Sequence, residues 1–231
     1  MKVSVITFPG TNCDHDTIEV FSQFGDDATL VWHQDRDLKN PDLVVFAGGS
    51  AYGDYLRGGA LAKYSPVVAE VIEYARKGGM VLGLCNGFQI LTECGLLPGT
   101  LMINIGLDFI CEHRHIRVEH PNSPWTHGIA AGTVLDIPIA HKEGNFHIDA
   151  AGLQELEDNE RVLFRYSDEF GNVNTDANPN GSLNNIAGIC SANKRVLGMM
   201  PHPERAAFPG LKSQDGTQLF KALQSYFAAS G

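Results

Sequence analysis

The chain has 231 residues, an ordinary share of apolar side chains and a formal net charge of −10. That length supports one large α/β domain or two small ones, and the acidic balance excludes a phosphate-tracking nucleic-acid surface; the densest basic run, His113-Arg114-His115-Ile116-Arg117, is short and bordered by acidic residues. Five widely spaced cysteines with no C-x-x-C argue against a disulfide framework. The apolar stretch at the N-terminus is too short for a signal peptide, and no segment approaches the roughly 20 apolar residues of a membrane span, so the expectation is a soluble, cytoplasmic protein without membrane or nucleic-acid partners.

Val3 to Phe8 is a β-branched run ended by Pro9-Gly10, a strand and then a turn. Asp14 to Phe24 has helical spacing (Ile18, Phe21, Phe24), with Asp14 and Asp16 near the positive helix start. Ala28 to Trp32 is a second strand. Leu43 to Ala47, almost wholly apolar, is a third, as in a parallel sheet covered on both faces. Ser65-Pro66 opens a helix to about Lys77, stopped by Gly78-Gly79. Met80 to Leu84 is the next strand, and Phe88 to Cys94 begins the next helix. From Leu101 to Ile148 the pattern is β-rich and antiparallel. Residues 167–184 are polar and turn-rich, with Asn178-Pro179-Asn180-Gly181 the clearest turn. Strands at Ile186–Cys190 and Arg195–Met200 and a helix from Asp215 to Phe227 close the chain. With no repeat or linker, residues 1–231 read as one domain. This rhythm predicts an α/β fold: an open, mainly parallel sheet with helices on both faces, plus a small antiparallel β region.

Ligands in such folds bind at the carboxyl ends of strands. Phe8-Pro9-Gly10, Ala47-Gly48-Gly49 and Leu84-Cys85-Asn86 all fall there. Gly83-Leu84-Cys85-Asn86-Gly87 has the Gly-x-Cys-x-Gly form of a nucleophile elbow, and the helix start favours a thiolate at Cys85. A base is still needed, because a free thiol with a pKa of about 8.5 is only a few per cent ionised at neutral pH. His202, in Met200-Pro201-His202-Pro203-Glu204, follows the last strand and suits that task, with Glu204 to orient it. The flanking prolines predict an extended path in which residues two apart face one way. Backbone N–H groups at Gly49 and Asn86 are candidate oxyanion donors.

Gly83-Leu84-Cys85-Asn86-Gly87-Phe88-Gln89 together with His202-Pro203-Glu204 resembles the class I (triad-type) glutamine amidotransferases, which have a flavodoxin-like fold. The resemblance implies that Cys85 forms a γ-glutamyl thioester, that His202 and Glu204 complete the triad, and that Gln89 helps hold L-glutamine. Pro9-Gly10-Thr11-Asn12-Cys13-Asp14, Tyr52-Gly53-Asp54-Tyr55-Leu56-Arg57, Leu96-Leu97-Pro98-Gly99, Pro138-Ile139-Ala140-His141-Lys142-Glu143-Gly144-Asn145-Phe146 and Asn178-Pro179-Asn180-Gly181-Ser182 extend it from Val3 to Phe227. They are similar to the family of glutaminase subunits of phosphoribosylformylglycinamidine synthases, in the fourth step of de novo purine synthesis. One departure is Ser50-Ala51, where that family usually shows Phe-Ser. The resemblance implies a partner synthetase subunit that binds ATP, Mg²⁺ and formylglycinamide ribonucleotide and accepts the ammonia. It also implies a small third subunit, and no cofactor on this chain.

Other residues stay open between two readings. His141 and Glu143 either contact the amino or carboxylate group of glutamine or shape a docking surface. Tyr52, Asp54 and Arg57 belong to a partner interface, unless Asp54 and Arg57 are simply a local ion pair. Cys111-x-His113-x-His115 has ligand spacing on a strand, but a fourth metal ligand is not evident nearby, so the expectation is no metal. The competing functions are a stand-alone cysteine hydrolase of γ-glutamyl or peptide substrates and a non-catalytic scaffold.

Overall fold

The computed structural model describes residues 1–230. Strands β1 (Lys2–Thr7), β2 (Asp27–Trp32), β3 (Leu43–Phe46), β4 (Met80–Leu84), β6 (Ile110–Val118), β7 (Val134–His141), β9 (Val162–Ser167), β10 (Ile186–Cys190) and β11 (Val196–Met199) form one nine-stranded sheet. Its order is β2-β1-β3-β4-β11-β10-β9-β6-β7. From β2 to β11 the neighbours are parallel, and from β11 to β7 they are antiparallel. The antiparallel strands therefore extend the same sheet. A separate two-stranded antiparallel pair joins β5 (Thr100–Met102) and β8 (Asn145–His147).

Two apolar cores flank the sheet, as the near-continuous hydrophobic strands require. Leu43 and Val45 of β3 enter one core, against Val20 and Phe21 of helix α1 (Asp14–Gln23) and Leu219, Phe220 and Leu223 of helix α5 (Thr217–Ser230). Val44 and Phe46 enter the other, against Val67, Val68 and Val71 of helix α2 (Pro66–Arg76) and Phe88 and Leu91 of helix α3 (Asn86–Glu93). The expected elements are present, Met80–Leu84 and Ile186–Cys190 with the expected bounds and the others with boundaries moved by at most three residues. Helix α3 starts two residues before its expected first residue, directly after Cys85.

Helix α4 (Ala150–Asp158) and β9 were not anticipated. Leu156 is the one fully buried residue of α4, so the helix shows little apolar stripe. Its start is marked instead by Asp149, whose Oδ1 accepts the Gly152 N–H at 2.7 Å. Strand β7 alternates buried and half-buried residues, which puts Leu135, Ile137, Ile139 and His141 on its inner face. Among the described residues, no helix is long and apolar enough to cross a membrane.

Candidate active site

Cys85 lies between β4 and α3 with φ 51° and ψ −105°, a strained conformation for a residue with a Cβ. Its N–H donates to Met199 O at 2.8 Å, fastening the turn to β11. The flanking glycines are required by contact. A Cβ on Gly87 would stand 2.1 Å from Phe46 O, and one on Gly83 2.6 Å from Gly87 O. Cys85 is 4% exposed and its thiol donates to Ala140 O at 3.6 Å.

The segment after β11 brings His202 and Glu204 to the same sheet edge. The His202 N–H donates to Pro138 O of β7 at 2.8 Å. Its Nδ1 lies 2.6 Å from Glu204 Oε1, and both side chains are buried. The path is not extended throughout, as the prolines suggested. His202 itself, with φ −106° and ψ 82°, falls short of extended backbone, and Pro203–Ala206 forms a 3-10 turn with Pro203 at its first position, where a fixed φ suits a helical start. Burial opposes a charge on His202. The Glu204 carboxylate, then Cys85 and Cys13, outweigh it and hold the imidazole pKa well above its ordinary value.

The oxyanion candidates are placed by two different devices. Gly49, with φ 145°, pairs with Thr11 in an isolated antiparallel bridge. The bridge bonds run from Asn12 N to Gly48 O and from Ser50 N to Gly10 O, so the Gly49 N–H takes no part in them. The Asn86 N–H is a first-turn amide of α3, a position with no intrahelical acceptor.

Side chains stitch the surrounding loops together. Asn86 Oδ1 accepts the Ala51 N–H at 3.0 Å, and Asn86 Nδ2 donates to Asp54 Oδ1 at 3.2 Å and Gln89 Oε1 at 2.8 Å. Gln89 Nε2 donates to Glu143 O at 2.7 Å, and Glu143 Oε2 accepts the Gly58 N–H at 2.8 Å. The Asn178–Ser182 turn braces the far side. Asn180 Nδ2 and Ser182 Oγ both donate to Gly144 O, at 2.9 and 3.0 Å. A cavity of about 310 Å³ results, lined by Cys85, His202, Gly49, Gln89, His141, Glu143 and Asp54, with Phe109 also on its wall. Burial first, and Glu143 to a lesser degree, push the Asp54 pKa up.

Two of the interface candidates are held in different ways. Arg57 does not pair with Asp54. Its guanidinium makes a fork with Glu93, at 2.5 and 3.0 Å, because Asp54 is turned inward to Asn86. Tyr52, with φ 55°, is half-buried and points its hydroxyl at His33 Nδ1 (2.7 Å) and Ser65 Oγ (2.8 Å). Two further residues reach the site without having been assigned a part in it. Cys13 Sγ lies 4.0 Å from His202 Nδ1, and Arg205 Nη2 donates to Cys13 Sγ at 3.1 Å. Cys13 belongs to a motif quoted above and Arg205 directly follows Glu204 in sequence, but only the fold joins residue 13 to residue 205. Cys13, His202 and Glu204 are the one group among the described residues whose ligand atoms lie close enough to hold a metal ion. Arg205 against the sulfur and the His202–Glu204 bond both work against a cation there. Cys111 and His115 are not part of it, and His113 faces Asp136 at 2.9 Å.

A cysteine elbow facing a histidine–glutamate pair at the edge of a doubly covered sheet is the arrangement of a triad amidotransferase. The model of the CobB/CobQ-like glutamine amidotransferase domain matches residues 1–227, and the chain belongs to that family. Its relatives narrow the branch. It is 52% identical over 224 residues to the phosphoribosylformylglycinamidine synthase subunit PurQ of Koribacter versatilis, covering 96% of this chain and 97% of that one. It is 54% identical over 224 residues to the subunit of the same name from Trichormus variabilis, covering 96% of each. The structure of PurLQS from Thermotoga maritima superposes with a TM-score of 0.87 at 34% identity, over 98% of both chains.

Proposed function

We propose that this chain is the glutaminase subunit of a phosphoribosylformylglycinamidine synthase and that Cys85 is its nucleophile. The observation that carries the reading is the strained Cys85 in one cavity with His202, which is bonded to the buried Glu204. The Cys85 thiolate attacks the γ-carboxamide carbon of L-glutamine. The oxygen becomes an oxyanion between the N–H groups of Gly49 and Asn86, each worth about 2.7–4 kcal/mol of barrier. His202 gives a proton to the amide nitrogen, the C–N bond breaks toward nitrogen, and ammonia leaves a γ-glutamyl thioester. Water, deprotonated by His202, then releases glutamate. Asp54 and Glu143 form an acidic wall that fits the α-ammonium group, and Gln89 fixes that wall through Glu143 O.

The ammonia goes to a synthetase subunit that uses ATP and Mg²⁺ to convert formylglycinamide ribonucleotide to formylglycinamidine ribonucleotide. A small third subunit completes the assembly in the cytoplasm. Support for a covering partner comes from the rim. Phe109 lines the cavity yet is 62% exposed, and Ile105, Leu107, Tyr55 and Leu56 are also exposed. Arg57 and Tyr55, next to the cavity residue Asp54, are the better interface candidates than the inward-bonded Tyr52.

The test is Cys85→Ala in the assembled synthase. Glutamine-dependent synthesis should vanish while ammonia-dependent synthesis persists. Glutamine use at the parent rate would overturn the assignment. Peptide turnover by the chain alone, in the absence of a partner, would favour the stand-alone hydrolase instead.

A further inference from the structure

His141 ends β7 in the cavity wall, 3% exposed, and its ring is held from two sides. A Cβ on Gly144 would lie 2.3 Å from His141 Cε1, so the Gly144 backbone packs directly on the imidazole. On the other side is Asn104, itself fully buried. Asn104 Nδ2 donates to Asp108 O and His141 O, both at 2.9 Å. Its Oδ1 therefore faces the Gly144 N–H at 3.0 Å and His141 Nδ1 at 3.2 Å. A carbonyl oxygen only accepts, so Nδ1 carries the imidazole hydrogen. Nε2 is left as a lone-pair acceptor, buried and with no hydrogen-bond partner in the protein. Burial, with a smaller contribution from the charge on His202, lowers the His141 pKa to about 3, so the ring stays neutral. Such an acceptor is costly unless something in the cavity donates to it.

We infer that His141 receives the departing nitrogen: its Nε2 accepts one N–H of the substrate carboxamide as the C–N bond breaks. This rests on the glutaminase reading and assigns a residue to the leaving-group end of that site. The geometry favours the scissile end over the α-ammonium. His141 shares the cavity wall with His202, the proton donor to the nitrogen, and directly follows Ala140, whose O meets the Cys85 thiol, while Asp54 and Glu143 already offer carboxylates to a cation. The preceding residue supplies a second acceptor, since Ala140 O takes the Cys85 thiol hydrogen at 3.6 Å and is freed when the thiol gives that proton up. In the tetrahedral intermediate the nitrogen lone pair must face His202 to be protonated. Ala140 O and His141 Nε2 can then each take one of its two hydrogens, which fixes that orientation. The C–N electron pair leaves with nitrogen, and ammonia departs with three N–H bonds. A leaving oxygen has no hydrogen to offer His141, so the device selects an amide over an ester.

The experiment uses the assembled synthase with two substrates, L-glutamine and L-glutamate γ-methyl ester, and the variants His141→Leu and His141→Gln. For His141→Leu, kcat/KM on glutamine should fall about 30-fold further than on the ester, since an interaction with the leaving nitrogen is missing from the ester reaction. His141→Gln, which keeps both a donor for Asn104 and an acceptor, should recover part of the amide rate. Equal losses on both substrates, or no loss on glutamine, would overturn the inference. If His141→Leu does not fold, the wild-type imidazole ¹⁵N shifts decide: hydrogen on Nε2 rather than Nδ1 removes the acceptor and the idea with it. Cys85→Ala separates the two levels of argument. Ester hydrolysis surviving that change would sink the glutaminase reading itself, whatever His141 does.

Discussion

Gly87→Ala is the most direct probe of how the elbow holds its cysteine. The new Cβ would lie 2.1 Å from Phe46 O and 2.9 Å from Phe46 C, and these are main-chain atoms. A tolerable carbon–oxygen contact is at least 3.0 Å, so close to 1 Å must be found. Phe46 cannot supply it, being paired to Ile6 of β1 on one side and Gly83 of β4 on the other. Helix α3 must move instead, taking with it the Asn86 amide and the turn at Cys85. Overpacking of this kind costs about 1–3 kcal/mol. For a chain of this size that lowers Tm by about 2–12 °C, at roughly 2–4 °C per kcal/mol. A misplacement near 1 Å at the reacting atoms costs on the order of 10²-fold in rate. The assay is glutamine-dependent against ammonia-dependent synthesis by the assembled enzyme, with Tm recorded for each preparation. The variant should fold, melt earlier, lose about two decades of the glutamine-dependent rate and keep the ammonia-dependent one. A full glutamine-dependent rate with unchanged Tm would refute the claim that close packing of α3 on β3 sets the nucleophile.

Glu204→Gln removes the charge that holds the His202 pKa up against burial. Glutamine-dependent turnover should drop by about 10²–10⁴-fold, with ammonia-dependent synthesis intact, as measured by steady-state kinetics of the complex. Asn180→Ala takes away a buried donor to Gly144 O and an acceptor for the Ser182 N–H at 3.0 Å. Denaturant unfolding should show a loss of about 1–3 kcal/mol, and KM for glutamine should rise because Gly144 carries the Glu143 wall. Stability should also fall in acid through His141. Its folded pKa of about 3 lies below the unfolded value of 6.5, so between these pH values only the unfolded chain takes up the proton. That contribution is complete above pH 6.5 and is lost at up to about 1.4 kcal/mol per pH unit as pH falls toward 3. Unfolding at pH 7.5 and 5.5 checks it: the wild type should lose about 1 kcal/mol more than His141→Gln across that interval, and parallel behaviour would contradict it.

Much of the fold was legible because apolar runs and breakers coincide. Leu43–Phe46 is buried on both faces and reads as a central strand from composition alone. Helix α2 is bracketed by Ser65-Pro66 and Gly78-Gly79. What escaped was long-range. Residues Leu101–Ile148 read correctly as β-rich, yet nothing local says that β6 pairs with both β7 and β9 and so joins the main sheet. Register of that kind is set by contacts tens of residues apart, and the half-buried pattern of β6 is compatible with an isolated hairpin as well. Helix α4 escaped for the opposite reason: it contributes so little to the core that its cap at Asp149 is its clearest signal.

The site divides along the same line. Cys85, His202 and Glu204 could be named because each sits at the end of an apolar strand, and strand ends of a parallel sheet converge on one edge. The alternative reading of Arg57, a local pair with Asp54, rested on three residues of sequence separation, whereas its actual partner Glu93 lies on α3 and meets it only in the folded chain. Cys13 was harder still. Its approach to His202 depends on α1 beginning at Asp14 and on the turn after β11, two segments at opposite ends of the sequence. His141 shows where sequence reasoning stops in physical terms. Alternation along β7 suffices to point its ring inward. Which ring nitrogen carries the hydrogen depends on the orientation of Asn104, and that depends on Asp108 O and the Gly144 N–H. A tautomer is a property of a closed hydrogen-bond network, so the chemistry offered by Nε2 exists only once β7 and the Asn104 loop have been brought together.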